Sequence, residues 1–546
     1  MYLITRTWTA PQNRYIAIAA LMVMLCSLPA NSQNAPRNFR SGGTLTIGKV
    51  GVGTLVFHPL YLSLGVEKEI ANLIYGHGLL RRDRSGELTA GLALMPTRNR
   101  DGKIWVFQLR PDISFHDGEP LKADDVVFTY NLYKDSRRYD PIFYRYFRNI
   151  ERVEKHDPWT VAFVMKEPVA AFPEALTTLP IIPRYEMRQR AFAGVSSTPK
   201  PPRPIGLGPY TLESKQSHDS ITLRANRGWH HGWPNLDRIV YKFFPTSDEL
   251  MAAFVLHEVD IVEMDRTSSF RDMKRARPDA KLQAVDPIHK AFEAIFYNHG
   301  RPLFGDADVR RAMTHAIDRE RILQQVIAPG SGSVMDGPVE TKFWAYGGAN
   351  HLKYDPQKAI ELLQDSGWQD ANDTGILGRG GRNFSFELLF PKGSLTSEKL
   401  VRVIKMNLNN IGVDVRPVPV ELKELVQRMR LGAYDAALFS QPFESTPDDF
   451  YAVFHSESIA LGFNMLRYEN RQVDRNISFL YGITEPARAL PIYQQLQLLL
   501  SRDQPCTFLF NFEREYIAYD PRFQNIGLPG SALNSPASWY ILTDPR

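Results

Sequence analysis

Cysteine is nearly missing: 546 residues hold two, Cys26 and Cys506, too few for the disulfide framework that stabilises small secreted domains. Neither sign of charge dominates, 65 Lys and Arg standing against 60 Asp and Glu for a formal +5. The basic residues are scattered rather than clustered, so nucleic acid is not among the expected partners. After Leu28 no apolar run is long enough to span a bilayer as a helix. A fixed-period repeat is also absent, which removes solenoids and propellers. What remains is a mixed chain, 43% apolar and 23% charged, long enough for two or three lobes with separate cores.

The start of the chain carries an address. Arg6 and Arg14 precede an apolar run from Tyr15 to Leu28, and Ala30-Asn31-Ser32 offers small residues for cleavage, the pattern of a secretory signal peptide over residues 1–32. A membrane anchor is the alternative, but a run of about 14 apolar residues falls short of the roughly 20 a spanning helix needs. Leu25 before Cys26 is not the small residue that would favour a lipid-modified start. Removal of the leader leaves Cys506 alone, and a lone thiol forms no internal disulfide. A periplasmic location, as a soluble exported monomer, is expected.

Folding is expected to begin near Gly43, where the polar "SQNAPRNFRSGG" gives way to the alternating "TLTIGKV". The proline-rich "SSTPKPPRPIGLGPY" at 196–210 cannot lie inside a helix or a central strand and reads as a crossing between lobes. Between 384 and 439 the order is strand, helix, strand, helix, strand, from "FSFELLF" to "YDAALF", which predicts a parallel sheet covered by helices. Ligands of such sheets bind beyond the carboxyl ends of the strands. That rule points to "PKGS" at 391–394, with Lys392 and Ser394, and to "SQPFES" at 440–445, with Gln441, Phe443 and Glu444. A single helix is predicted through "DVRRAMTHAIDRERILQQVI", capped by Asp306 or Asp308.

Candidate chemistry is sparse. In "FHDGEPLKADDVVF", His116, Asp117, Asp124 and Asp125 are metal-ligand types, but no second histidine stands at ligand spacing. A turn at Asp117-Gly118 followed by a helix with acidic residues in its first turn accounts for them. His230 and His231, read as strand neighbours, should point to opposite faces and hold no metal together. Ser197 to Lys200 fits S-x-x-K without its K-T-G partner, and Gly206-Leu207-Gly208 lacks the third glycine of a nucleotide loop. No catalytic constellation, metal site or cofactor is expected.

Five segments taken in order resemble one family. They are "WVFQLRPDISFHDGEPLKADDVVFTY" at 105–130, "GLGPYTLESKQSHDSITLRANRGWHHGWPNLDRIVYKFF" at 206–244, "HEVDIV" at 257–262, "FYNHGRPLFGDADVRRAMTHAIDRERI" at 296–322 and "SRDQPCTFLFNFEREYIAY" at 501–519. Together they are similar to bacterial extracellular solute-binding proteins of the peptide class, which serve ATP-driven (ABC) importers. The resemblance implies an α/β, two-lobed periplasmic-binding-protein fold of type II with an extra domain in the first lobe. It places the first lobe at 43–84, 205–295 and 506–546, the inserted subdomain at 85–204 and the second lobe at 296–505, with hinges near Phe296–Asn298 and Phe508–Phe512. A small, peptide-like solute would be held between the lobes and passed to the permease subunits in the membrane.

The same resemblance bears on the site. "TPDDFY" at 446–451 matches the segment that follows the family's amine-holding acidic residue, which places Phe443 at that position with Glu444 beside it. The cation for a peptide carboxylate falls around Gly393, next to Lys392. From the first lobe "KVGVGT" brings Gly51, Gly53 and Thr54 to the cleft, and "KFWAYGG" offers Trp344 and Tyr346 as walls. Other outputs remain open: a sensory or chaperone-like binder, an exported hydrolase, or a binder of an oligosaccharide, an opine or a metal complex.

Overall fold

The structure, a computed structural model, describes residues 39–40, 42–51, 65–82, 87–135, 147, 149–169, 172–177, 179–185, 204–216, 219–264, 270–285, 290–327, 332–348, 351–370, 373–443, 445–481, 483, 485–513, 515–524, 526 and 540–542. The expected leader, Gly53, Thr54, Ser197 to Lys200 and Glu444 lie outside the described residues. Among those described, no helix is long and apolar enough to cross a membrane.

Two large sheets organise the chain into two lobes. The first has seven strands in the spatial order Lys281–Val285, Glu515–Tyr519, Ile261–Glu263, Thr44–Val50, Arg238–Phe244, Ser220–Ala225, Tyr210–Gln216. Thr44–Val50 runs parallel to both of its neighbours. The second has six, in the order Gly332–Val334, Cys506–Phe512, Ala291–Tyr297, Ala436–Pro442, Ser385–Pro391, Asp414–Val420. The predicted strand–helix–strand–helix–strand run forms its parallel part, with Ser385–Pro391 between the other two strands. Pro417 and Pro419 fall on the edge strand, where a missing N–H leaves no inner ladder bond broken. A third, four-stranded sheet of Thr97–Arg98, Ile104–Gln108, Thr160–Met165 and Ile150–Asp157 has its own core, in which Phe107, Tyr130, Phe163 and Phe172 are fully buried.

The chain passes between the large sheets twice, from Val285 to Lys290 and from Phe512 to Glu515. These crossings differ from the expected hinges. Phe296 and Phe508 sit inside strands of the second sheet, and Ala291–Tyr297 is paired on both sides. Its near-continuous apolar sequence "AFEAIFY" is that of a strand buried on two faces, so bending there would break two ladders.

The predicted single helix from 308 onward is two, Ala307–Ala316 and Arg319–Gln325. Ile317 is extended, and Asp318 starts a new helix by accepting a hydrogen bond from the Arg321 N–H. The break serves Arg319, whose buried guanidinium donates to the Phe508 carbonyl (3.0 Å), to Asp336 Oδ1 (2.9 Å) and to the carbonyls of Met335 and Leu352. A continuous helix would turn that side chain elsewhere.

The acidic run near 117–125 is architecture. Asp125 accepts from the backbone N–H groups of Lys122 and Arg184, both at 3.0 Å, and Asp124 pairs with Lys155 at 2.6 Å. Asp117 accepts from Tyr185. His116 staples the small sheet to the 206–208 segment: Nδ1 accepts the Gly206 N–H at 3.2 Å, and Nε2 donates to the Gly208 carbonyl at 3.0 Å. Burial pushes its pKa down and keeps this neutral tautomer. Gly208 has a steric purpose, since a Cβ there would lie 2.3 Å from the Leu73 carbonyl oxygen.

Candidate ligand cleft

Sheet topology dictates where the lobes face each other. In the first sheet the carboxyl ends of the parallel strands carry Gly51, Pro245 and Met264, and Val285 pairs with Glu515 at that same end. In the second sheet the carboxyl ends carry Lys392, Glu421 and Phe443, and Ala291 pairs with Pro442 while Gly332 pairs with Phe512 there. Both crossings therefore join these ends. The lobes approach each other at Gly393, where a Cβ would lie 3.5 Å from the Pro245 carbonyl oxygen and the backbone holds φ +79°. Only glycine adopts that backbone at no steric cost.

The structure brings Gly51, Lys392, Ser394 and Gln441 to these facing ends. Gly51 donates its N–H to the Phe244 carbonyl at 2.8 Å, closing the end of the strand pair. Lys392 Nζ lies 3.1 Å from Glu421 Oε1, with both side chains well exposed; such a pair is worth about 0–1 kcal/mol and yields readily to a guest. Ser394 is the N-cap of Leu395–Asn409, its Oγ accepting the Ser397 N–H at 3.2 Å. Gln441 is half-buried, and its Nε2 donates to the Pro442 carbonyl at 2.9 Å.

Phe443 departs from its expected place on the cleft wall. It is buried, its ring 5.5 Å from Phe292 and 5.1 Å from Phe450. Its N–H donates to the Lys290 carbonyl at 2.8 Å, so the strand alternation continues one residue further and turns the ring into the core with Phe439. Trp344 is exposed, edge-on to Tyr493 at 5.6 Å and beside Phe343. Tyr346 lines a cavity with Met335, Asp336 and Asn511, and burial pushes its hydroxyl pKa up.

Two features escaped the sequence. Lys49, at the cleft end of its strand, lies 3.0 Å from Glu69 and also pairs with Glu263, while Tyr241 donates to Glu69 at 2.8 Å. Burial disfavours the charge on Lys49, but the two carboxylates outweigh it and hold its pKa above the ordinary lysine value. Glu263, closing "DIVE", was the available signal. The second is the cavity at Gly332–Val334, lined mainly by the stretch 332–341 together with Glu320, Leu323, Tyr346, His351 and Asn511.

His230 and His231 correct a further expectation. They occupy a turn, not a strand, with ring centroids 4.3 Å apart. Burial, mutual proximity and Arg110 push His230 down to about 3; burial with Arg81 and Arg110 pushes His231 to about 4. Cys506 is buried, and burial pushes its thiol pKa up, so it is inert.

Comparison with known proteins agrees with this architecture. The family model described as bacterial extracellular solute-binding proteins, family 5 Middle, matches residues 87–459. The oligopeptide-binding protein AppA of Bacillus subtilis (strain 168) is 29% identical over 511 residues, covering 91% of this chain and 92% of that protein. The solved structure of AppA from Bacillus subtilis in complex with a nonapeptide superposes with a TM-score of 0.84 at 26% identity, covering 92% of this chain and 100% of that one. NikZ from Campylobacter jejuni, in complex with Ni(L-His), shares the fold at a TM-score of 0.80 and 22% identity, covering 91% of this chain and 99% of that one. The fold is thus the two-lobed periplasmic-binding-protein fold of type II, and the family consists of solute-binding proteins, not enzymes. With 373 of its residues inside the family model, the chain belongs to the bacterial extracellular solute-binding proteins of family 5.

Proposed function

We propose that this protein is the extracytoplasmic receptor of an ABC importer, enclosing a peptide between the facing sheet ends and presenting the closed form to the permease. The observation that carries the reading is the pair of crossings joining two sets of strand carboxyl ends, with Gly393 against Pro245. Such ends expose backbone N–H and C=O groups in diverging loops, which suits a guest that is itself a backbone. AppA, the relative named for oligopeptides, supports a peptide guest. In this reading the first lobe comprises 43–84, 205–285 and 515–546, the inserted subdomain 85–204 and the second lobe 290–512. Residues 1–32 act as the export signal, the mature protein is a monomer, and Gly51, Gly53, Thr54, Lys392, Ser394, Gln441 and Glu444 stand nearest the guest. It performs no bond chemistry of its own.

Closure is a population shift: a guest touching both lobes binds the closed form more tightly and so favours it. Micromolar affinity needs about 8 kcal/mol net. Calorimetry with peptides of two to nine residues, paired with solution scattering, tests this. Micromolar or tighter binding with a fall in radius of gyration is expected; no binding of any peptide would overturn the peptide assignment.

One observation favours a second reading. Phe443, which the resemblance puts in place of the amine-holding carboxylate, lies in the core, so a solute without a terminal amine, such as an oligosaccharide, fits the described part of the cleft. Native mass spectrometry of protein from its host, identifying any retained molecule, separates the two.

A further inference from the structure

At the edge strand Gly332–Val334 the second lobe contains a cavity of about 390 Å³, large enough for a small ligand or a long side chain. Three carboxylates line it, those of Glu320, Asp336 and Glu340, and neither lysine nor arginine does. Nearby cations offset part of this charge: Arg319 Nη2 lies 2.9 Å from Asp336 Oδ1 and Lys290 Nζ 3.1 Å from Glu340 Oε2, while His351 Nδ1 is 2.6 Å from Asp336 Oδ2. Glu320 has no ion pair among the described residues.

A second observation points to a guest. Asn511 lines the same cavity and is only 3% exposed. Its Oδ1 accepts from the Ser333 N–H (3.1 Å) and the Ser333 hydroxyl (2.8 Å), which fixes the orientation of the amide. Its Nδ2 then donates to no protein group among the described residues. That N–H group faces the cavity, where it can donate to an oxygen supplied by a guest.

Sheet register ties the cavity to the cleft. Ser333 pairs with Asn511, Asn511 with Phe292, and Phe292 with Gln441. Gln441 and the cavity thus lie on one cross-strand row about 14 Å long, with Phe292 buried between them, so a guest reaching both passes over the ends of these strands. An extended peptide covers that distance in about four residues.

We propose that this cavity is a subsite of the inter-lobe cleft for a cationic side chain, lysine or arginine, of a bound peptide. Glu320, Asp336 and Glu340 face the charge, and Asn511 Nδ2 donates to a carbonyl oxygen of the guest. This rests on the peptide reading above. The test is calorimetry on the purified chain with alanine pentapeptides in which each position in turn is lysine, norleucine or glutamate. At one position lysine should bind about tenfold more tightly than norleucine and glutamate more weakly than either. In Glu320→Gln and in Glu340→Gln, each checked for an intact thermal transition, the lysine-to-norleucine ratio should fall at least threefold. Peptides that bind without a preference at any position, or a preference that survives in both variants, would overturn the subsite and leave the peptide reading standing. If no peptide of two to nine residues binds, the peptide reading fails and the subsite with it.

Discussion

His299 donates from Nε2 to the Pro505 carbonyl at 2.8 Å, in a setting where burial, aided by Arg310, pushes its pKa down to about 3. The ring is neutral in the fold, whereas in the unfolded chain it takes a proton below about pH 6.5. The unfolded state then binds more protons, so stability falls as pH drops from 6.5 towards 3. One such group contributes a slope of up to about 1.4 kcal/mol per pH unit. Urea unfolding at several pH values from 7 to 4 should show a shallower acid slope for His299→Gln than for the parent; equal slopes would mean that the ring is already charged in the fold. Nothing around "FYNHG" announces this role, because the partner carbonyl lies 206 positions away. Residues bonding within a few positions were more legible. The turn and acidic helix start around Asp117–Asp125 could be read from the sequence, and Asp125 does accept from the Lys122 N–H. Phe443 was not legible: its position beyond the strand suggested the cleft, and only the bond to Lys290 reveals that the alternation persists.

Asp318 shows what decides an element. Apolar spacing through "DVRRAMTHAIDRERI" fits one helix, and the first stretch does bury Val309, Ala312, Met313 and Ala316. The spacing carries no mark of the bend, because the bend is enforced by partners far along the chain: Asn407 Oδ1 accepts the Asp318 N–H at 3.1 Å, and Phe508 and Asp336 hold Arg319. Asp318→Ala should lower the unfolding free energy by about 1 kcal/mol through loss of the N-cap. Arg319→Ala should cost about 3–5 kcal/mol, because it removes the guanidinium paired with Asp336 and leaves buried carbonyls without their donor. Denaturant melts of the two variants check both, and an Arg319 variant no worse than the Asp318 variant would mean that the helix break does not serve the guanidinium. The parallel unit at 385–442 was legible for the opposite reason. Its strands and helices each repeat their own pattern locally, and the rule about strand carboxyl ends then located Lys392, Ser394 and Gln441 without knowledge of any distant partner.

For the whole molecule, the two lobes have separate cores, one around Leu45, Ile70 and Tyr241 and others around Ile295 and Phe292. In the proposed closure each lobe holds its shape while the angle between them changes, and Gly393 lies against Pro245 where the two lobes approach. Gly393→Asn isolates that contact. Asparagine tolerates positive φ better than other residues with a side chain, so the loop itself is little strained. Its Cβ alone already stands in van der Waals contact with the Pro245 carbonyl oxygen, at 3.5 Å, and the carboxamide beyond it adds bulk between the lobes. The variant should unfold within about 1 kcal/mol of the parent, because no core contact is lost. It should bind the parent's best peptide about tenfold more weakly, and at saturating peptide its radius of gyration should stay nearer the unliganded value. Calorimetry and scattering on the same samples measure both. If the affinity and the liganded dimensions matched those of the parent, the lobes would close without bringing 393 to 245, and the facing ends of the sheets would not be the surfaces that enclose the guest.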